Sequence, residues 1–287
     1  MQRLFERIQV VSLDEVFVHE GVVDKWVDRI ADFVEQAGVM KNPIVVAEAS
    51  DPETGDARYV VLDGMHRVQA FGRLGCPDIC VYVSDYWNDD VRLESWDALL
   101  LGIVDPRAYL DALFDDPEHD VVEMQTEAEA RSRLYGRELA LVLKARDTAF
   151  FGLRCRALDP GERLEEIILA LRRVEEDLDE RGIRAVYAPS GRSSFDFSQT
   201  PSDMLVLRPL FSKHEVLERT MEGRLFPRKS TRFLVPERPL RVDFHLTILK
   251  ADLDLTTKNR LLDEHLQWCW ANNRVRYYPE GVYVLDD

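Results

Sequence analysis

Eight residues constrain this chain most. Val60-Val61-Leu62-Asp63-Gly64-Met65-His66-Arg67 is an apolar strand pattern that stops at Asp-Gly and turns directly into a helical pattern. A strand that is apolar at consecutive positions needs cover on both faces, and a helix starting straight after the turn supplies one cover. The flanks agree with an α/β unit. Trp26, Ile30, Phe33 and Val34 recur at helical spacing behind Asp24, and Gly38 closes that helix. Pro43-Ile44-Val45-Val46-Ala47 and Tyr59-Val60-Val61-Leu62 predict a hairpin around the turn from Asp51 to Asp56, then a helix from His66 to Leu74 and a strand from Ile79 to Val83.

From Asp89 to about Glu129 the pattern is irregular and acidic, and Trp96 with Leu99-Leu100-Leu101 predicts a helical connector. A second α/β region follows. Its strongest element begins at Asp159-Pro160, a cap followed by proline at the first helical position, and stops at Gly182. Strands are expected at Ala185 to Tyr187 and Met204 to Leu207, and helices from His214 to Met221 and from Thr256 to about Asn272. A closing strand pair, Val275 to Tyr278 and Val282 to Leu285, would turn at Pro279-Glu280-Gly281. The expected fold class is α/β (α+β), with a first domain over 1–88 and a connector plus second α/β domain over 89–287.

Composition excludes several classes. With 37 Lys and Arg against 53 Asp and Glu, the net charge of −16 opposes non-specific nucleic-acid binding, so an anionic ligand needs a local site. No apolar run reaches the ~18 residues of a membrane span, and the N-terminus lacks a signal-peptide core, which gives a cytoplasmic expectation with no membrane partner. Cys76, Cys80, Cys155 and Cys269 have no zinc-type spacing and read as reduced thiols, mostly buried.

Three places carry candidate chemistry. Strand-Asp-Gly-helix alone is a common structural turn, but here His66 and Arg67 add donors to the first helical turn. Gly64 lets the backbone approach a ligand, the first N–H groups and the helix dipole favour an anion, and Asp63 can bind magnesium that bridges phosphates. Glu20 lies on no apolar stripe and can serve as a base for an alcohol, or as a plain surface or capping residue. Arg228-Lys229-Ser230-Thr231-Arg232 gathers cations and hydroxyls in an acidic chain, which suits a carboxylate or phosphate and equally a basic loop answering neighbouring acids.

Leu62-Asp63-Gly64-Met65-His66-Arg67, with Asn42-Pro43-Ile44-Val45 before it and Leu74-Gly75-Cys76 after it, resembles the phosphate-loop core of the ParB/sulfiredoxin superfamily. Val18-His19-Glu20, Ser95-Trp96, Ser230-Thr231-Arg232-Phe233, Arg276-Tyr277-Tyr278 and Val282-Tyr283-Val284 extend the likeness to the free L-serine kinases, archaeal and siderophore-pathway members included. The resemblance implies a ParB/sulfiredoxin-like N-terminal domain and phosphorylation of L-serine to O-phospho-L-serine, with Mg2+ and ATP or ADP as donor. It implies that Glu20 is the catalytic base, that Asp63 is catalytic and holds the metal, and that Gly64, Met65, His66 and Arg67 bind phosphate. It further implies that Trp96, Lys229, Ser230, Thr231 and Arg232 contact substrate.

Met65 stands where sulfiredoxins need a nucleophilic cysteine, and a thioether cannot replace it. Met65 also departs from the second histidine of archaeal serine kinases, leaving the donor open between nucleoside di- and triphosphate. No basic recognition helix follows Asp85, against a partition protein. The rival reading is a ligand-responsive ParB-like regulator or nucleotide-binding switch. His265 is expected to be a satisfied packing residue, Trp268 and Trp270 fold anchors, the run from Asp115 through His119 to Asp120 a solvated acidic loop, and Glu175-Glu176-Asp177 a wet helix face.

Overall fold

The structure, a computed structural model, describes residues 2–50, 55–114, 120–190 and 203–278. It is mixed α/β and divides into two compact units, one drawn from Met1–Phe17, Val23–Tyr86 and Glu237–Asp287, the other from Val18–Val22 and Trp87–Pro236. No helix among the described residues is long and apolar enough to cross a membrane.

The first unit contains a five-stranded sheet in the order Ile8–Ser12, Asp78–Ser84, Ile44–Ser50, Ala57–Asp63, Val16–Phe17. The expected hairpin is present: Ile44–Ser50 and Ala57–Asp63 run antiparallel, with Val46 opposite Val61. Val46, Val60, Val61, Ile79 and Val81 are fully buried. Helices Asp24–Ala37 and Met65–Arg73 pack against each other. The first buries Val27, Ala31 and Val34, not the Trp26 and Phe33 of the predicted stripe. Those two aromatics stay half exposed under the cations of Arg29 and Lys41, which lets them turn outward.

The last helix, Leu255–Ala271, packs on Ile8–Ser12 and so belongs with the first unit, whereas the sequence division assigned it to the second. Ile8–Ser12 is a sheet edge, and the Asn259 side chain both accepts from the Val10 N–H and donates to the Val10 carbonyl, at 2.8 Å each, filling backbone positions an edge leaves open. Lys258, fully buried, pairs with Asp78 and donates to the Leu249 carbonyl at 3.0 Å. His265 bonds the Val242 carbonyl at 2.7 Å, a satisfied packing residue as expected, but Trp268 and Trp270 are half exposed instead of buried as fold anchors, with the Arg274 guanidinium 5.0 Å from the Trp268 ring centroid.

The second unit is built on a six-stranded sheet in the order Ala185–Pro189, Trp96–Leu100, Met204–Leu207, Leu139–Ala145, Phe150–Arg154, Val121–Met124. The expected helical connector is therefore wrong at Trp96–Leu100, where Ala98 to Leu100 form an interior strand paired on both edges. A short consecutive apolar run fits a two-face-buried strand and a buried helix equally, and pairing partners decided between them. Helix Pro160–Arg181 starts where predicted: the Asp159 side chain accepts from the Gly161 and Glu162 N–H groups, and Gly182 ends it at φ 64°. Val275 to Tyr278 forms no strand. The predicted partner Val282 to Leu285 with its turn, most of the 51–56 turn, and His119 lie outside the described residues.

Candidate functional site

In the second unit the segment carrying Glu20 runs beside Phe226. The Phe226 N–H donates to the His19 carbonyl (2.8 Å) and the Gly21 N–H to the Phe226 carbonyl (3.2 Å). This backbone bridge brings Glu20 to the turn that follows Phe226. There the carboxylate, on a residue 5% exposed, is enclosed by donors. Its Oε1 accepts from the Thr231 N–H and the Thr231 hydroxyl, each at 2.6 Å, and its Oε2 accepts from the Lys229 N–H at 2.8 Å. The fully buried His19 lies with Nε2 2.6 Å from Thr231 Oγ1. Because that hydroxyl donates to Glu20, the imidazole is the donor to the oxygen and carries its proton on Nε2. Glu20 is thus no surface residue.

The other residues of this basic segment divide by partner. Arg228 is claimed by Glu175, and also by Asp179, so the predicted wet face of the long helix is in part a clamp on this turn. Burial holds the Arg228 guanidinium below its ordinary value. Ser230 spends its hydroxyl on the Pro227 carbonyl (2.7 Å) and shapes the turn. Arg232 pairs with Glu94 across the two-stranded ribbon Arg232–Leu234 and Arg92–Glu94, where the two residues are in register. The exposed Lys229 ammonium sits 5.4 Å from the Trp96 ring centroid, and the Arg232 guanidinium 5.1 Å from the same ring. Trp96 itself donates its indole N–H to the Thr231 carbonyl at 3.0 Å.

In the first unit, Ala57–Asp63 ends at Asp63, and Gly64 turns the chain at φ 108° into Met65–Arg73. The dihedral favours glycine, and a Cβ at Gly64 would stand 2.8 Å from Arg67 Nη2 and 3.0 Å from Ile44 Cδ1, so a side chain there would also push the Arg67 guanidinium from its place. Arg67 folds back over this turn: Nη1 donates to the carbonyls of Asn42 (2.7 Å) and Pro43 (2.9 Å), and Nη2 meets Asp63 Oδ2 at 3.2 Å. Burial pulls the Arg67 guanidinium below its ordinary value, Asp63 opposes that, and Arg238 adds to it. Arg238 also donates to Asp63 Oδ2, at 2.7 Å. His66 Nε2 accepts from the Val23 N–H at 3.1 Å, which puts its proton on Nδ1. His66 therefore docks the preceding helix as well as standing on the first turn, and Met65 opens the helix.

Among the described residues no group of three or more His, Cys, Asp and Glu side chains could hold a metal ion by itself. A magnesium ion that arrives on phosphates needs less, one or two carboxylates, and Asp63 directs both guanidinium bonds to a single oxygen; the donor set fits.

Sequence reading missed the residues that hold this framework. Asp97, 5% exposed, accepts from Ser190 Oγ (2.9 Å) and pairs with Arg131 (2.8 Å). Arg208 reaches the turn carbonyls, and Glu94, Glu175 and Arg238 are counter-ions. One signal was available: a charged residue inside Trp-Asp-Ala-Leu-Leu, and another directly after Met-Leu-Val-Leu, stand where the chain is otherwise buried.

No family model matches the chain. It is similar to an ADP-dependent L-serine kinase of Thermococcus kodakarensis, 24% identical over 241 residues that cover 82% of this chain and 90% of the relative. An ATP-dependent L-serine kinase of Desulfurococcus mucosus is 23% identical over 249 residues, 84% and 90% of the two chains. Among solved structures, SbnI with a C-terminal truncation, from Staphylococcus aureus, matches with a TM-score of 0.71 at 18% identity, covering 94% of this chain and all of that one. The mixed α/β fold is shared.

Proposed function

We propose that this chain is a kinase of free L-serine, built on a ParB/sulfiredoxin-like N-terminal domain, that moves the terminal phosphoryl group of ATP or ADP to the serine hydroxyl. Glu20 is the observation that carries the reading. Its carboxylate is buried and accepts three bonds from Thr231 and Lys229. A carboxylate has about four acceptor positions, so one remains for the substrate hydroxyl, whose proton Glu20 takes as the phosphoryl group arrives.

Serine's carboxylate answers to Lys229 and Arg232, which flank Trp96, with Arg232 sharing its guanidinium with Glu94. Ser230 and Thr231 act through the turn. In the first unit the N–H groups at the start of Met65–Arg73, from Met65 and His66, cradle the donor's phosphates, and Gly64 admits them closely. Arg67 holds the loop and adds charge. Asp63 would hold magnesium, which when bound neutralises charge on the phosphate oxygens. The names of the two relatives, both L-serine kinases matched over more than four fifths of this chain, support the substrate. One is named for ADP and the other for ATP, so both donors belong in the test.

The experiment is incubation with magnesium, ATP or ADP, and a panel of free amino acids without DNA, followed by mass spectrometry. O-phosphoserine formed with either donor is expected, and separates an enzyme from a DNA-dependent regulator. Absence of phosphoserine with both donors, or faster phosphorylation of another amino acid, would overturn the assignment.

A further inference from the structure

Arg208 follows the buried strand Met204–Leu207 and is itself 5% exposed. Its Nη1 donates to two carbonyls, Arg228 at 2.9 Å and Lys229 at 2.8 Å. Its guanidinium carbon lies 5.9 Å from the Tyr187 ring centroid, and its backbone N–H points at Asp97 Oδ1 at 3.4 Å. Burial pulls the guanidinium below its ordinary value, while Tyr187, Glu20 and Asp97 act the other way. A desolvated charge is costly unless it is bonded, and the groups this one bonds belong to the turn that holds Glu20. Lys229 in that turn has φ 58°, a left-handed conformation that a residue with a side chain keeps when its surroundings enforce it.

We infer that Arg208 is a positioning residue: it locks the 228–231 turn through two carbonyls so that the Lys229 and Thr231 N–H groups meet the Glu20 carboxylate. Its influence passes through the turn backbone, from the carbonyls it bonds to the amides that aim Glu20, and it contacts no reacting atom. The consequence for turnover rests on the reading of Glu20 as base; the locking of the turn does not.

Two measurements on the full chain separate these parts. Hydrogen exchange followed by NMR should show the Lys229 and Thr231 amides opening about tenfold faster or more in Arg208→Lys, with the amides of Met204–Leu207 as protected as before. The lysine keeps the charge, but its side chain is one bond shorter and its ammonium falls short of the two carbonyls that Nη1 reaches. In steady-state kinetics kcat should fall about 10²-fold with the KM for nucleotide unchanged. In a Glu20→Gln background the same change should cost no further kcat, because its effect passes through Glu20. Unchanged exchange in folded Arg208→Lys overturns the inference, as do kinetic losses that add to those of Glu20→Gln. If Arg208→Lys loses its cooperative melt, Arg208→Gln is read by the same exchange criterion with the same two outcomes. A wild-type chain that leaves serine untouched while the exchange difference stands would defeat the kinase reading and leave the locked turn intact.

Discussion

At Glu20 the environment makes the simplest isosteric change informative twice over. Glutamine keeps the shape, but its amide must turn a donor towards either the Lys229 N–H or the paired Thr231 donors. Glu20→Gln should therefore lower stability by about 1–3 kcal/mol, the cost of an unmade buried bond. It should also cut serine turnover roughly 10²–10⁴-fold with nucleotide affinity little moved. Denaturant melts beside steady-state kinetics check both, and near-normal turnover would mean the base is another group. Gly64 is the converse case, where geometry and not chemistry forbids change. Alanine there combines φ 108° with a Cβ against Arg67 and Ile44, so Gly64→Ala should destabilise the fold by about 1–3 kcal/mol, and an unaltered urea midpoint would contradict this. The Asp-Gly turn and the isolation of Glu20 from any apolar stripe were legible in the sequence. The guanidinium bonds that turn Arg67 back onto its own loop were not, because carbonyl acceptors have no sequence signature.

Among the elements, the ribbon of Arg232–Leu234 with Arg92–Glu94 sets the clearest test of substrate binding. If Arg232 only ties the ribbon, Arg232→Ala costs a cross-strand pair, about 0.2–1 kcal/mol, and leaves both ligands unaffected. The substrate reading expects that small loss of stability together with a serine affinity about tenfold weaker or worse, since charge-assisted bonds are worth roughly 1.5–3 kcal/mol each. Arg232→Lys should fall between, and nucleotide affinity should barely move. Unchanged serine affinity, titrated on folded protein, would assign Arg232 to the ribbon alone, and equal losses for serine and nucleotide would place it on the phosphates instead of the amino acid. Elements with local punctuation were read well: Asp24–Ala37 to Gly38, and Pro160–Arg181 between Asp159 and Gly182. Trp96–Leu100 and Leu139–Ala145 lacked such signals. The first was mistaken for helix and the second overlooked, because strands covered on both faces lose the alternation that identifies a strand.

For the molecule as a whole, the return of Glu237–Asp287 to the first unit makes that unit depend on contacts between residues far apart in the chain. Lys258 and Asp78 form a buried pair between the last helix and the sheet. Lys258→Met should cost about 3–5 kcal/mol by stranding the Asp78 carboxylate, whereas Lys258→Met combined with Asp78→Leu should recover most of it. Urea unfolding of the single and double variants decides; a harmless single change would show the pair to be incidental. The α/β character, the strand-turn-helix at Asp63 and Gly64, and the residue types from which a phosphate site and a base could be made all follow from the order of residues. These depend on neighbours within a few positions, where periodicity, capping and glycine dihedrals act. The folded chain alone reveals which cations are already paired, that Thr231 and Lys229 enclose Glu20, and that helix Leu255–Ala271 covers the first strand. Each of those joins residues up to about 250 positions apart, and such pairings follow from how layers stack and where buried charge finds a partner, which no local pattern encodes.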